Sequence, residues 1–530
     1  MNETKPRSGR WWMPITTVLL AFTALLVWWR YPELPFIARM MYTMLTVAVS
    51  LVLLLVWFLF LSAFRWRTRF LTLGILLAAG FGFSRLVRVD GAVNGSGLPH
   101  VTWKWTPRSD GNVAQARTIA AQPATSEAQA TPAVDYPGFL GTDRCGIVAG
   151  VQLERDWSAH PPQLLWRQPV GLGWSSFAIK GPRAVTQEQR GENELVVCYE
   201  LATGRTLWMH TNRVRFNEKM GGDGPRATPS IAGDKVFALG ATGILDCLEL
   251  ADGKSVWSHD TLGENHASNL VFGKSSSPLV LDNVVIVSGG QTNGPTLLAY
   301  QRDNGSPGWK TGTDEASYSS PTVATLCGRR EVLSLNATSL TAHDPSDGHI
   351  QWQYSWKRWG PRCAQPLALE GDRVLLSAGF GLGSVLLQVK ADAGGKLSAA
   401  EVWKNLRLKA QFSSVVVRDG YAYGLDEGVL ACIDLATGER KWKDGHYGFG
   451  ELVLVHDLLL VQTETGPVAL VEANPAEFRE GGRVNALDSK TWNNPAVAGD
   501  FLLVRNDKEA ICFKLAMRTS VAKLAAATEH

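Results

Sequence analysis

The sequence predicts an all-β fold, an eight-bladed β-propeller with seven blades as the alternative, preceded by about three transmembrane α-helices. Three observations predict it: long apolar runs confined to residues 1–89, a structural unit recurring roughly every 45 residues across 135–515, and a glycine-centred tight turn at one fixed place in that unit.

The apolar runs come first. Trp11 to Trp29 and Met41 to Phe64 each have the length a bilayer core demands, and Phe70 to Phe83 is a shorter third run. Arg69 and Arg85 flank it and are expected to snorkel outward, extending the span to 68–86. Lys5, Arg7 and Arg10 precede the first run, and Arg65, Arg67 and Arg69 separate the second from the third. Basic flanks stay in the cytoplasm, so three spans put the N-terminus inside and everything after Arg85 on the periplasmic side of the inner membrane. A third run lying in the interface would leave the propeller cytoplasmic. A cleaved signal peptide is the other alternative, but Arg30-Tyr31-Pro32 follows Trp29 in place of a small-residue cleavage site.

Residues 90–134 turn rich in Ala, Thr, Ser, Gln, Pro and Gly and read as a flexible linker. Trp103 and Trp105 are exceptions, suited to an interfacial or docking contact. A tail, 516–530, follows the propeller. The 52 basic and 49 acidic residues leave a net charge of +3 with no basic cluster in the propeller, which argues against a nucleic-acid partner. Seven scattered cysteines form neither a disulfide scaffold nor a zinc pattern.

The repeat carries the fold. Cys198, Leu201, Gly204 and Trp208 recur at the same offsets as Cys247, Leu250, Gly253, Trp257 and as Cys432, Leu435, Gly438, Trp442. Degenerate copies are Ala299, Gly305, Trp309 and Ala342, Gly348, Trp352, while Trp166 and Trp403 extend the series. In each unit an alternating strand enters a Gly turn and a Trp-bearing strand, with two more strands upstream. Four short antiparallel strands make a blade, and blades must stack about an axis to bury both faces. Blade starts fall near Ser175, Thr228, Ser277, Ser320, Gln365, Ser414, Glu451 and Asn494. The last unit lacks a Trp strand, and Gln163 to Arg167 precedes the first as an orphan, so the N-terminal strand is expected to close blade eight. The seventh unit lacks both the Gly and the Trp, which is what keeps seven blades open.

The stretches Val197 to Trp208 and Ala431 to Trp442 resemble the pyrroloquinoline quinone (PQQ) type propeller repeat. Asp135 to Gly141 and Leu164 to Arg167 resemble the lead-in of bacterial PQQ-binding-like propellers. The resemblance, to the quinoprotein alcohol dehydrogenase-like superfamily, covers about 135–515. It implies either a PQQ-dependent dehydrogenase of alcohols or sugars or a non-enzymatic scaffold, since the superfamily holds both. The dehydrogenases need PQQ and a Ca²⁺ held by hard oxygen ligands. The alcohol dehydrogenases also stack the cofactor on a disulfide between adjacent cysteines. No adjacent Cys pair occurs, and no Glu/Asn/Asp calcium set can be matched. The expectation is therefore a membrane-anchored, periplasm-facing binding or scaffold module for a protein partner or a small anionic or planar ligand, with no established cofactor. A membrane-bound PQQ- and calcium-dependent dehydrogenase of a sugar or alcohol is the alternative.

Residues just before each blade's first strand should line the funnel mouth. These are Trp174 with Ser175 and Ser176, Arg226, Lys274 with Ser275, Tyr318 with Ser319, Lys409 with Phe412, and Trp492 with Asn493. Arg226, Lys274 and Lys409 converging among aromatics would suit a planar or anionic ligand. The alternative is solvated rim charges and serines capping strand ends. Gln187 to Glu192 and Arg505 to Asp507 are polar connections of the first and last blades, another place for a site. Gly273-Lys274-Ser275 lacks the first Gly and the helix of a P-loop, and no G-x-S-x-G or H-E-x-x-H occurs.

Overall fold

The computed structural model describes residues 11–30, 34, 36–95, 97–106, 119–120, 134–291, 294–358 and 360–518, in two compact units, Met1–Pro107 and Arg108–His530.

In the first unit, α1 (Trp12–Arg30), α2 (Phe36–Val56) and α3 (Trp66–Leu86) carry three stretches long and apolar enough to cross a membrane. Leu20, Leu51, Leu71 and Leu77 stand exposed along them, a surface that suits lipid and not water. α1 and α2 run antiparallel: Trp28 Nε1 donates to Thr46 Oγ1 (3.2 Å), and Trp11 meets Trp57 at 5.0 Å. α2 ends in a π-helical turn, Trp57–Leu61, in which Trp57 O accepts from Ser62 N–H (2.9 Å) while carbonyls further on look for other donors. Arg69 donates to Leu59 O (2.6 Å) in that turn and to Ser62 O and Phe64 O (2.9 Å) in the connection after it. Its side chain is buried against the end of α2, which corrects the expectation that it reaches outward. The chain then forms a hairpin of β1 (Val87–Ala92) and β2 (Pro99–Trp103), within the stretch whose composition reads as linker.

The second unit is an eight-bladed propeller. Seven four-stranded antiparallel blades occupy residues 178–212, 230–260, 279–311, 322–355, 367–405, 416–446 and 451–484. Blade eight combines Ala496–Ala498, Phe501–Arg505 and Glu509–Lys514 with Gln163–Pro169, which pairs on the last of these with Trp166 opposite Cys512. The ring thus closes as the orphan strand predicts. First strands of neighbouring blades approach one another, so they line the axis.

The repeat residues are explained by one contact between blades. The indole N–H of Trp166 donates to Leu201 O (2.8 Å) in the next blade, and Trp208 to Leu250 O (3.0 Å), Trp257 to Arg302 O (3.0 Å), Trp309 to Pro345 O (3.1 Å) and Trp403 to Leu435 O (2.9 Å) follow suit. The next blade's turn glycine lies flat on that ring. At Gly253, with φ +74°, a Cβ would stand 2.5 Å from Trp208, so both the conformation and the space require glycine. Cysteine fills the strand position opposite the Trp at Cys198, Cys247, Cys432 and Cys512, all buried. Burial pushes the first three of these thiols up to about 12, as befits small apolar fillers.

Two blades depart from the pattern. In blade five the third and fourth strands, Gly383–Ala391 and Leu397–Asn405, are nine residues long and move the turn outward, so Trp352 of blade four donates instead to Glu331 of its own blade (2.8 Å). In blade seven, Gly482 faces Leu470 where the tryptophan should stand. Trp157, from the lead-in, fills the space: a Cβ on Gly482 would sit 2.7 Å from Trp157 Cβ, and Trp157 N–H donates to Gly481 O (3.2 Å).

The lead-in also crosses the axis. Tyr136 bridges Ile179 of blade one, and Pro137 O accepts from Ile231 N–H of blade two (2.7 Å). Arg144 donates to Ser277 O and Pro278 O of blade three (3.0 and 2.9 Å), and Ile147–Val148 pairs in parallel with Leu454 and Val455 of blade seven. Residues 135–148 therefore plug the channel from the side where the first strands end.

Candidate functional site

At the opposite end of the channel the residue entering each first strand is polar: Ser176, Thr228, Ser277, Ser320, Gln365, Ser414, Glu451 and Asn494. In blades one to five the backbone N–H of this residue reaches the next blade's side chain. Ser176 donates to Thr228 Oγ1 (3.1 Å), Thr228 to Ser277 Oγ (2.9 Å), Ser277 to Ser320 Oγ (2.9 Å), Ser320 to Gln365 Oε1 (2.9 Å) and Gln365 to Ser414 Oγ (3.2 Å). Ser176 Oγ donates in turn to Asn494 O (2.5 Å), across the closing seam. The serines are thus staples between blades. Several buried atoms of this ring and its neighbours have no partner among the described residues: Ser276 Oγ, Gln365 Nε2, Glu451 Oε2, Asn493 Oδ1 and Asn494 Oδ1. Burial pushes the Glu451 carboxyl well above its ordinary range.

Above the ring lies the funnel mouth. Trp174 and Trp492 stand 5.1 Å apart, Phe412 is 5.2 Å from Trp492, and Phe449 is 5.8 Å from Phe412. Blades six, seven, eight and one thereby contribute one continuous aromatic cluster, in which Trp174 and Phe449 are buried and Phe412 and Trp492 half-buried. Lys490 places its ammonium over both indoles, 4.4 Å from the Trp492 ring and 5.0 Å from Trp174. Burial lowers its pKa, opposed by the negative charges of Asp507 and Glu464. Glu464 organises the cluster: one oxygen accepts from Trp492 Nε1 (2.9 Å) and the other from Phe449 N–H (3.1 Å). Neither Lys490 nor Glu464 stands out in the sequence. The available signal was position, since Lys490 precedes Trp492 by two residues and Glu464 occupies a turn at the same end of blade seven.

The three cations singled out from the sequence are each engaged by groups of their own surroundings. Arg226 folds beneath the loop 216–224, donating to Gly222 O (2.6 Å) and Gly224 O and stacking 4.8 Å over Phe216. Burial draws its pKa down to about 10. Lys274 turns into blade three and donates to Ser288 O (2.5 Å), Ser288 Oγ (2.8 Å) and Gly289 O; burial draws it down to about 7. Lys409 pairs with Asp426 at 2.7 Å and Glu427 at 3.7 Å. Tyr318 packs on Phe272 at 5.7 Å, its hydroxyl pushed up to about 12 by burial. Asn493 donates to Ser175 O (2.8 Å), bracing the strand after Trp174. Trp174 is braced too, its indole donating to Gly221 O (2.7 Å).

The two polar connections are parts of one seam. Arg505 of blade eight is buried and donates to Thr186 Oγ1 (2.8 Å), Gln187 O (2.8 Å) and Gly171 O (2.9 Å). Glu188 beside it accepts from Gly171 N–H (2.7 Å) and Tyr199 OH. Burial works against the Glu188 charge, but Arg190 and Arg505 outweigh it and hold the carboxyl below its usual value. These groups fasten blade eight to blade one.

Among the described residues no three of His, Cys, Asp or Glu gather to hold a metal ion, and all seven cysteines are free thiols.

A model of the family described as outer membrane protein assembly factor BamB matches residues 159–294 and 275–491, more than half of the 530-residue chain. The chain belongs to this family. Solved structures show the same fold. The quinohemoprotein alcohol dehydrogenase of Comamonas testosteroni is similar at 12% identity and TM-score 0.55, over 76% of this chain and 84% of that one. A europium-containing methanol dehydrogenase is similar at 11% identity and TM-score 0.53, over 72% and 98%. BamB from Moraxella catarrhalis matches at 14% identity and TM-score 0.48, over 68% and 99%. No curated protein sequence matches the chain. At these identities the structural likeness to dehydrogenases speaks for the propeller alone, whereas the family match rests on the repeat sequence itself.

Proposed function

We propose that the chain is a membrane-anchored, periplasm-facing binding module whose funnel mouth takes an aromatic or other planar group of a protein partner. The observation that carries this is the aromatic cluster at the mouth, where the half-buried Phe412 and Trp492 are backed by the buried Trp174 and Phe449 and the Lys490 ammonium lies over both indoles. Large aromatics grouped with a cation are the composition of interface hot spots, and rigid rings lose little entropy on binding. The scaffold branch of the family supports the same reading. The three cation-rich positions support it indirectly: with Arg226, Lys274 and Lys409 committed to their own carbonyls and carboxylates, the recognition surface left at the mouth is aromatic.

The test is site-specific photo-crosslinking in native membranes from position 412. The expected result is a discrete protein adduct that is lost in the Trp174→Ala, Trp492→Ala variant while the thermal melt of the propeller persists. Adduct formation that survives both changes would overturn the assignment of the mouth. Orientation is tested separately by a reporter fused after Leu515: activity only in the cytoplasm would overturn the periplasmic side. Reconstitution with PQQ and Ca²⁺ is expected to give neither quinone absorbance nor dye reduction.

A further inference from the structure

The hairpin that follows α3 has two unlike faces. Val87 pairs with Trp103 and Val89 with Val101, so these four side chains share one face, while Arg88 and Thr102 share the other. The second face is internally satisfied: Arg88 Nε and Thr102 Oγ1 both donate to Asp90 Oδ2 (2.6 Å each), and Arg88 also donates to Lys104 O and Thr106 O (3.2 and 2.8 Å). The first face is apolar and bare. Val89, Val101, Trp103 and Trp105 are all exposed, Trp105 by 64%. A two-stranded hairpin is marginal in water unless such a face is covered.

Its position says what covers it. No linker separates it from the helix: α3 ends at Leu86 and β1 begins at Val87. Lys104 N–H donates to Leu86 O (2.9 Å), and Trp103 packs edge-on against Phe83 of the last helical turn at 6.3 Å, so the apolar face continues the surface of the helix end. Trp105 stacks on Trp103 at 4.8 Å and 9°, which makes a flat pair of indoles at that level. Tryptophan concentrates where a membrane meets water, because its ring is apolar and its N–H polar.

We propose that this hairpin is a bilayer-interface anchor, with Val87, Val89, Val101, Trp103 and Trp105 set into the headgroup–acyl boundary at the end of α3 and Arg88, Asp90 and Thr102 turned to water. The inference rests on α3 crossing the membrane. It holds the chain flat on the bilayer for about twenty residues before the linker, so the tether leaves from the surface and not from the helix axis.

The test uses the full chain reconstituted in phosphatidylcholine–phosphatidylglycerol vesicles, with a photo-crosslinking amino acid placed in turn at Val89, Val101, Thr102 and Leu77. Leu77 lies on α3 and is exposed. Lipid adducts are expected from Leu77, Val89 and Val101, and several-fold fewer from Thr102. Equal yields from Val101 and Thr102, or adducts joining Val101 to the chain's own propeller, would overturn the hairpin assignment while leaving the Leu77 adduct intact. Absence of the Leu77 adduct would remove the spanning reading and the anchor with it.

Discussion

Blades six and seven solve the same packing problem by different means. Blade six keeps the full unit: Gly438, φ +70°, lies on the Trp403 ring of blade five, and its own Trp442 donates to Asn474 O in blade seven (2.8 Å). Blade seven has Gly482 where its tryptophan belongs and borrows Trp157 from outside the repeat. The difference follows from the closing seam. A blade's tryptophan packs on the turn between strands three and four of the next blade, and in blade eight those two strands come from opposite ends of the propeller and have no turn between them. With no turn glycine to cover, blade seven needs no tryptophan of its own. The lead-in passing that seam supplies one.

Four substitutions break or sharpen the contrast. Trp166→Ala removes a fully buried ring and its bond to Leu201 O from the closing strand, and is expected to cost about 5 kcal/mol in urea unfolding, enough to open the ring. Trp157→Ala should cost about 3 kcal/mol. Its damage should stay local, with faster amide exchange along Glu480–Val484 and little change in blades two to four. Gly253→Ala, which drives a methyl group against Trp208 at a positive φ, should lower stability by about 1–3 kcal/mol, whereas the same change at Gly233, where nothing lies within 4 Å, should cost only its backbone strain.

Glu451→Gln should have the smallest effect and the opposite sign at neutral pH. Its folded-state pKa is raised by burial, so the folded protein binds more protons than the unfolded one above the ordinary carboxylate range. Stability is therefore lost as pH rises through that window. The glutamine variant, matching Gln365 at the equivalent place, should melt higher at neutral pH and converge with the parent as the medium is acidified toward pH ~4.

The fold was legible because its determinants are local and repeated. Gly and Trp at a fixed offset encode one inter-blade contact, and counting them, with the orphan strand at Trp166, leads to the closed eight-bladed ring. Blade seven hid its count because Trp157 lies in the lead-in, outside any repeat register. The site was less legible. Offsets from the blade starts find the mouth, and Trp174, Phe412 and Trp492 do meet there. Direction is another matter: Lys274 and Lys409 occupy mouth positions, but their ammonium groups turn to Ser288 and Asp426, partners contributed by other strands. Sequence spacing places a Cα and says little about a four-carbon side chain. Lys490 and Glu464 were missed for the converse reason, since each acts on the cluster from a different blade turn.

The plug has a mechanical consequence. Any pull exerted through the apolar helices of the first unit reaches the propeller through residues 108–134. It meets first the two-residue strand Ile119–Ala120, paired on Arg167 and Trp166 of the closing strand, then Tyr136 on blade one, and must draw residues 135–148 from their bonds to blades one, two, three and seven before it loads Gln163–Pro169 end-on. The segment works as strain relief on a cable: only the short Ile119–Ala120 pair lies ahead of it, and the covalent path to the seam that holds the ring shut runs through the plug first.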